Sequence, residues 1–267
     1  MSNPVSIIIT NYNYGQYLGE AISSALSQTY PAVEVIVIDD GSSDNSIEVA
    51  CQYPVTVLQQ ENQGVCAARN NAATHASGKY LLFLDADDTL LPEAIADLVG
   101  LLESAPDNIA FAYGQAQYFE NKSHVFESRP FDPQALAKEN YIQVSALIKK
   151  SAFEAVGGFD RGFALREDWE LFSRFVCQGY SGIFLGKPHF RYRKHKAPTR
   201  GGSKLPKRLS IAKLITAHPR FFLAKLLKNP LRYLILRMRF NIPQSIRHYG
   251  PTSMLPKTIQ APHQTGR

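Results

Sequence analysis

The stretch KYLLFLDADD, residues 79–88, constrains this chain more than any other. Residues 80–84 are apolar or aromatic without a break and then meet Asp85, Asp87 and Asp88. An unbroken run of this length fits a strand buried on both faces, as in a parallel sheet. The three carboxylates beyond it are not packing residues, because burying unpaired charge costs far more than packing returns. In open α/β sheets, ligands sit outside the carboxyl ends of the strands. Acids this close also repel one another, and a hard cation with oxygen ligands relieves that. One reading is therefore a Mg²⁺ or Mn²⁺ site at a strand end. The other is an acidic loop that caps the helix expected after Pro92.

The rest of the chain supplies the sheet. Residues 5–10 (VSIIIT) are apolar and β-branched, a buried first strand. Tyr17, Leu18, Ala21, Ile22, Ala25 and Leu26 follow at the spacing of one helix face. Residues 33–38 (VEVIVI) form a second strand that runs into Asp39-Asp40-Gly41-Ser42-Ser43-Asp44. Gly41 permits a tight turn, and Ser43 or Asp44 can cap a short helix. Residues 55–58 are a third strand. Asn62-Gln63-Gly64 opens an alanine-rich helix over 65–76, which Gly78 stops. A further helix is expected over 92–104. This alternation predicts a mostly parallel sheet with helices on both faces and right-handed crossovers.

Beyond it, strands are expected at 109–119, 141–148 and 181–185, and helices at 150–156 and 167–177. Residues 120–140, polar and carrying Pro130 and Pro133, read as a loop over the site.

The chain has 267 residues and is 45% hydrophobic, enough for one large α/β domain, or one domain plus a tail. Cys51, Cys66 and Cys177 are an odd, widely spaced set, which fits reduced thiols in a cytosolic compartment rather than a disulfide framework or zinc site. The N-terminus lacks the pattern of a signal peptide, and no window approaches the roughly 20 apolar residues of a spanning helix. The net charge of +6 hides a strong polarity. Residues 1–170 carry all 23 acids against 9 Lys+Arg, a net of −14, while residues 171–267 carry 20 Lys+Arg and no acid. An acidic part of this kind suits catalysis or metal binding, and a basic part suits an anion: a phosphate-bearing substrate, an anionic membrane or nucleic acid.

Five motifs in order, VSIIITNYN, VIVIDDGSSDNS, NQGVCAARNNA, FLDADD and GGFD with EDWEL, resemble the family 2 inverting glycosyltransferases of the GT-A fold. The resemblance covers about residues 4–195, and its pattern is similar to bacterial enzymes that build surface polysaccharides. It implies that Thr10, Tyr12 and Asp40 hold the nucleoside, probed by an aromatic stack and a carboxylate acceptor for the uracil N3–H. Asp39 would be structural. Arg69 resembles the family's arginine near the uracil and phosphates. Asp85 and Asp87 resemble its D-x-D, with Asp85 at the ribose or the metal and Asp87 on the Mn²⁺ or Mg²⁺ ion that bridges the diphosphate of a donor such as a UDP-sugar. Asp88 would be a helix cap. Asp168 is the implied catalytic base, kept ionised by the dipole of its helix, and Glu167 would orient the acceptor. Each acid has a plainer reading as a turn former or a first-turn residue, and Arg69 as a surface arginine.

The resemblance implies a single displacement, so an α-linked donor gives a β-glycoside, on a glycan or lipid-linked hydroxyl in polysaccharide biosynthesis. The Q-x-x-R-W motif of processive relatives is absent, which favours one sugar per encounter. A non-catalytic nucleotide-sugar or glycan-binding module is the alternative. No glycine-rich phosphate loop or G-x-G-x-x-G supports a nucleotidyltransferase or a Rossmann oxidoreductase.

The expected organisation is a transferase domain over 1–200, with a nucleotide half to 105 and an acceptor half beyond, and a basic helical extension over 201–267. His189, Arg191, Arg193, Lys194 and His195 read either as a mobile basic loop over the diphosphate or as a solvated loop. The extension has three readings: an amphipathic segment on the inner face of the cell membrane, a nucleic-acid binder without a recognised motif, or a packing segment with a basic outer face. The first is favoured, and nucleic acid is not expected as a partner.

Overall fold

Alternate residues of the apolar runs feed two cores, one on each side of a single sheet. In the computed structural model, residues 2–120, 125–126, 128–163, 165–195 and 207–223 are described. The chain runs β1 (Val5–Asn11), α1 (Gly15–Leu26), β2 (Val33–Asp39), α2 (Ser46–Ala50), β3 (Thr56–Gln59), α3 (Val65–His75) and β4 (Tyr80–Asp85). It continues with β5 (Thr89–Leu90), α4 (Ala94–Ser104), β6 (Ile109–Glu120), β7 (Val125–Phe126), α5 (Pro133–Leu136), β8 (Leu147–Lys149) and α6 (Lys150–Ala155). Then come α7 (Glu167–Cys177), β9 (Ser181–Lys194), α8 (Lys207–Ala217) and α9 (Pro219–Leu223).

The sheet order is β3-β2-β1-β4-β8-β6-β9-β5, with β7 on β6. Strands β3, β2, β1 and β4 are parallel. Strand β8 is antiparallel to β4 and β6, β9 runs parallel to β6, and β5 pairs antiparallel with β9. On one face Val5, Ile7, Ile9, Val35, Val37, Leu82 and Leu84 pack with α1 and α4. On the other, Ile8, Ile36, Ile38, Leu81 and Phe83 pack under α3, α6 and α7. The period of two in the strands produces this split. Small residues on α3, Ala68 and Ala72, let that helix lie close to the sheet. Phe83 stacks with Phe153 and Phe159 in a fully buried site, where truncation to alanine is expected to cost about 3–5 kcal/mol.

The central strands and α7 lie where the sequence predicts them. Three segments differ. The strand expected over 141–148 is reduced to Leu147–Lys149. Tyr141, Ile142 and Ala146 are buried all the same, from irregular backbone held by side-chain bonds such as Ser128 Oγ to the Tyr141 carbonyl. The loop expected over 120–140 holds β7 and the short α5, and residues 121–124 and 127 lie outside the described residues. The strand expected to stop at 185 continues to Lys194, with register shifts beside Tyr113–Gln115 on its partner β6. His189 to Lys194 are therefore in the sheet, not in a loop.

The described part of the basic extension packs on the domain. Leu214 and Phe221 join the core under α7, and His218 Nε2 lies 2.8 Å from Glu170 Oε1. Residues 196–206 and 224–267 lie outside the described residues. Among the described residues, no helix is long and apolar enough to cross a membrane.

Candidate functional site

Strand order places the site. The crossovers from β1 to β2 and β3 go to one side, while β4 lies on the other side of β1. A crevice opens at the carboxyl ends where such an order reverses. Here Thr10 of β1 stands opposite Asp85 of β4, and Asn11 opposite Asp39 of β2.

The β2 turn is built by its own side chains. Asp39 accepts from Asn11 Nδ2 at 2.7 Å and from the Ser42 amide at 2.8 Å, which agrees with a structural role. Gly41, at φ +82°, makes the turn that β2 needs there. Asp40 is buried and accepts from Gln60 Nε2 (2.7 Å), the Gln63 amide (2.9 Å) and the Gly64 amide (2.8 Å). Those bonds fix the entry to α3. Tyr12 is 49% exposed just past β1. Thr10 Oγ1 and Asn11 Oδ1 are buried without a partner, so polar valences are open at this rim.

The acids after β4 converge. Asp85, Asp87 and Asp88 can each bring one carboxylate oxygen to within 4.8 Å of the others'. Burial, then the charge of Asp85, pushes the Asp87 carboxyl up. Burial, then Asp87 and Asp85, pushes Asp88 well up. Three carboxylate oxygens this close, on acids of which Asp87 and Asp88 are pushed up, fit a hard divalent cation. His195 adds a nitrogen beside them, with Nε2 2.8 Å from Asp87 Oδ2. Asp88 is not the expected helix cap, since α4 starts at Ala94 after Glu93. Instead its Oδ1 accepts from the Arg193 amide at 3.0 Å.

Arg193 holds this loop from behind. Its Nε donates to the Asp87 carbonyl at 2.8 Å, and its guanidinium pairs with Glu20 and Glu120. The same group lies over the rings of Tyr17 and Phe119, 4.6 and 4.4 Å from their centroids. A buried, fully paired arginine of this kind is a fixed strut. That corrects the expectation of a mobile basic loop at residues 189–195. His189 is buried too, with Nε2 2.8 Å from the Ser145 carbonyl oxygen, and burial lowers its pKa to about 4.

Arg69 joins the two halves of the site. It is 2% exposed, donates to Asp85 at 2.7 Å and to Glu167 at 3.1 Å, and is therefore not a surface arginine. Burial works against its charge, but Asp85 and then Glu167 hold it protonated. Its next neighbour Asn70 clamps the Gly-Gly-Phe-Asp turn, accepting from the Phe159 amide and donating to the Phe159 carbonyl, both at 2.8 Å. A Cβ on Gly158, which sits at φ +69°, would meet Asn70 Oδ1 at 2.6 Å. The glycine in that motif thus lets the turn before α7 dock on α3.

Helix α7 opens from Arg166 in the left-handed region, with Glu167, Asp168 and Glu170 in its first turn. Asp168 Oδ1 accepts from the Trp169 amide at 2.7 Å, and Oδ2 from Asn140 Nδ2 at 2.8 Å. Burial, then the charge of Glu167, pushes its carboxyl up to about 7. The helix end therefore does not keep Asp168 low, as the sequence alone suggests. Packing around it outweighs the dipole, whose effect is about 0.3–1 kcal/mol at exposed positions. Asn140 lies in no sequence motif, and the basic run 189–195 gives no sign that Arg193 is a strut, because both act through partners 28 or more residues away.

Residues 6–165 match the family described as Glycosyl transferase family 2. A glycosyltransferase of Haemophilus influenzae is 32% identical over 177 residues, 62% of this chain and 60% of the relative. One of Rickettsia prowazekii is 32% identical over 186 residues, 64% of this chain and 58% of the relative. The chain thus spans about three-fifths of the length of these relatives. Among solved structures, Staphylococcus aureus TarS (residues 1–349) with UDP-GlcNAc superposes with a TM-score of 0.68 at 16% identity, over 91% of this chain and 74% of that one. The mannosyltransferase PcManGT of Pyrobaculum calidifontis, in complex with GDP-Man and Mn²⁺, gives 0.58 at 20% identity over 91% and 70%. These likenesses carry the fold, which is GT-A. The family match covers more than half of the sequence, and the chain belongs to glycosyl transferase family 2.

Proposed function

We propose that the protein is a metal-dependent, inverting glycosyltransferase that moves one sugar from a nucleotide-sugar, of the UDP class, to a hydroxyl of a glycan or lipid-linked acceptor. The observation that carries this reading is the pairing of two unlike acid sites through Arg69: the Asp85, Asp87, Asp88 group and the Glu167, Asp168 pair.

Thr10, Tyr12 and Asp40 line the nucleoside side in this reading. Tyr12 offers an exposed ring for stacking, Thr10 an unpartnered hydroxyl, and Asp40 the remaining lone pair of a fixed carboxylate. Asp85, Asp87 and His195 would hold a Mn²⁺ or Mg²⁺ ion. Bound there, the ion supplies neutralisation of the negative charge that grows on the departing diphosphate. Asp168 takes the proton of the acceptor hydroxyl as that oxygen bonds to the anomeric carbon and the bond to the diphosphate breaks. A base poised near neutrality suits that transfer, because it is ionised when needed yet basic enough to accept. Arg69 fixes Glu167 beside the base and Asp85 beside the diphosphate, so both sites share one buried strut.

A thermal-shift screen of UDP-, GDP- and dTDP-sugars with and without Mn²⁺ tests the donor class, since a ligand of the folded state stabilises by mass action. Stabilisation by a UDP-sugar only when Mn²⁺ is present is the expected result; none by any nucleotide-sugar would refute the reading. The acid-free stretch from residue 171 supports a role on the anionic inner face of a membrane, at roughly 1 kcal/mol per basic residue near the surface. Vesicle flotation of the chain against a version ending near Lys204 tests that, and equal flotation of both removes it.

A further inference from the structure

A strap of residues 128–142 crosses the start of α7 and is pinned along its length. Tyr113 Oη donates to the Arg129 carbonyl at 2.7 Å, and Ser128 Oγ to the Tyr141 carbonyl at 2.9 Å. The Asp132 amide donates to Tyr141 Oη at 2.8 Å, and Trp169 Nε1 donates to the Leu136 carbonyl at 2.7 Å. Asp132 caps α5, accepting from the Gln134 amide at 2.8 Å. Asn140 follows that short helix. Its Oδ1 accepts from the Ile142 amide at 3.3 Å, and its Nδ2 donates to Asp168 Oδ2 at 2.8 Å. The backbone bond settles which way the amide faces, because a flip would set Oδ1 against a carboxylate and lose the Ile142 amide.

We propose that Asn140 is a positioning residue that aims Asp168 at the incoming hydroxyl and sets the pH at which it can accept a proton. This rests on the reading of Asp168 as the base. Asn140 offers only N–H to Asp168, so it favours the ionised carboxylate over the acid. Among the described residues, the charged groups around Asp168 are few. Glu167 stands next to it on α7, Arg69 faces it from α3, and Asp85 of β4 is tied to Arg69. On the strap, Glu139 is already paired with Arg129. Asn140 is therefore the neutral donor, beyond the Trp169 amide, that offsets Glu167. With the strap pinned at both ends, it also fixes the direction in which the free lone pairs of Asp168 point.

The test is a titration of Asp168 by carboxyl ¹³C NMR in the 267-residue chain, with the resonance assigned from D168N. Wild type is expected to titrate near 7, and N140A about one unit higher, as loss of a hydrogen bond to a charged group implies. N140S, which retains a short donor, is expected between them, and it serves if N140A does not fold. The acid limb of kcat/KM should move with the NMR midpoint. An unchanged Asp168 midpoint in both variants, with only a lower Tm, would overturn the proposal. Undiminished turnover by D168N would instead remove the base itself and leave the titration result standing, so the two failures are distinct.

Discussion

The end of β4 and the start of α7 both hold carboxylates above their ordinary range, but they do so for different reasons. At β4, Asp87 and Asp88 are pushed up by burial and then by the charges of their own cluster. At α7, Asp168 is pushed up by burial and then by one neighbour, Glu167. Two residues further along, Glu170 is buried as well. Burial pushes it up, yet hydrogen bonds from His218 and Arg174 outweigh that and hold its carboxyl below the usual range. Burial creates the electrostatic demand, and the partner decides what meets it. In the proposed reading the β4 cluster takes a cation and Asp168 a proton, whereas Glu170 is already met by His218 and Arg174.

Substitutions that separate the two regions sharpen this contrast. The largest effect is expected from D87A, which should lose Mn²⁺-supported donor binding and bring transfer down by about 10³-fold or more, measured by donor turnover. D168N should reduce turnover by about 10²–10⁴-fold while donor binding, read by calorimetry, stays within twofold. If both variants lost binding alike, the two regions would not be separate in function.

Arg69→Met should disturb both regions at once. Removing one partner of a buried pair leaves charge uncompensated, and the expected loss in urea unfolding is about 3 kcal/mol, near the low end because Asp85 stays part-exposed. A loss under about 0.5 kcal/mol, the scale of an exposed pair, would show that the strut is dispensable. Gly158→Ala should cost about 1–3 kcal/mol, since the position needs φ +69° and the new Cβ meets Asn70.

The last effect concerns pH. Asp168 binds its proton more tightly in the folded state than in the unfolded one. Its contribution to stability is therefore complete below the unfolded value of about 4 and is lost as pH rises through about 7. D168N should accordingly raise Tm at pH 8 and leave it nearly unchanged at pH 4. A lower Tm at pH 8 would mean that the ionised carboxylate is stabilising. Transfer by wild type should fall as the pH drops below about 7, because Asp168, the proposed base, is then protonated.

Much of the fold was legible because its signals are local. The apolar runs of β1, β2 and β4 and the helical spacing of α1 and α7 lie within a few residues of where they were expected. The convergence of Asp85, Asp87 and Asp88 was legible for the same reason, as acids that follow a buried strand. What escaped was set at long range. The run from His189 to His195 looks like a solvated basic loop, but Arg193 is held by Glu20, Asp87, Asp88 and Glu120, from three other parts of the chain. Tyr141 and Ile142 are apolar enough for a strand, yet their burial is achieved on irregular backbone strapped to Asp132 and Ser128. Asn140 stands in a polar segment with nothing to distinguish it until α7 is brought against it. The ionisation of Asp168 was misjudged because a sequence displays the helix end and not the packing around it.

The division between a cation site and a proton site is tested most directly by calorimetric titration of Mn²⁺, in the presence of UDP, into wild-type, D87A and D168N chains. The expected result is binding by D168N within twofold of wild type and at least about tenfold weaker binding by D87A, a difference of about 1.4 kcal/mol. Wild-type affinity in D87A, or a matching loss in D168N, would contradict the assignment of the two acid sites.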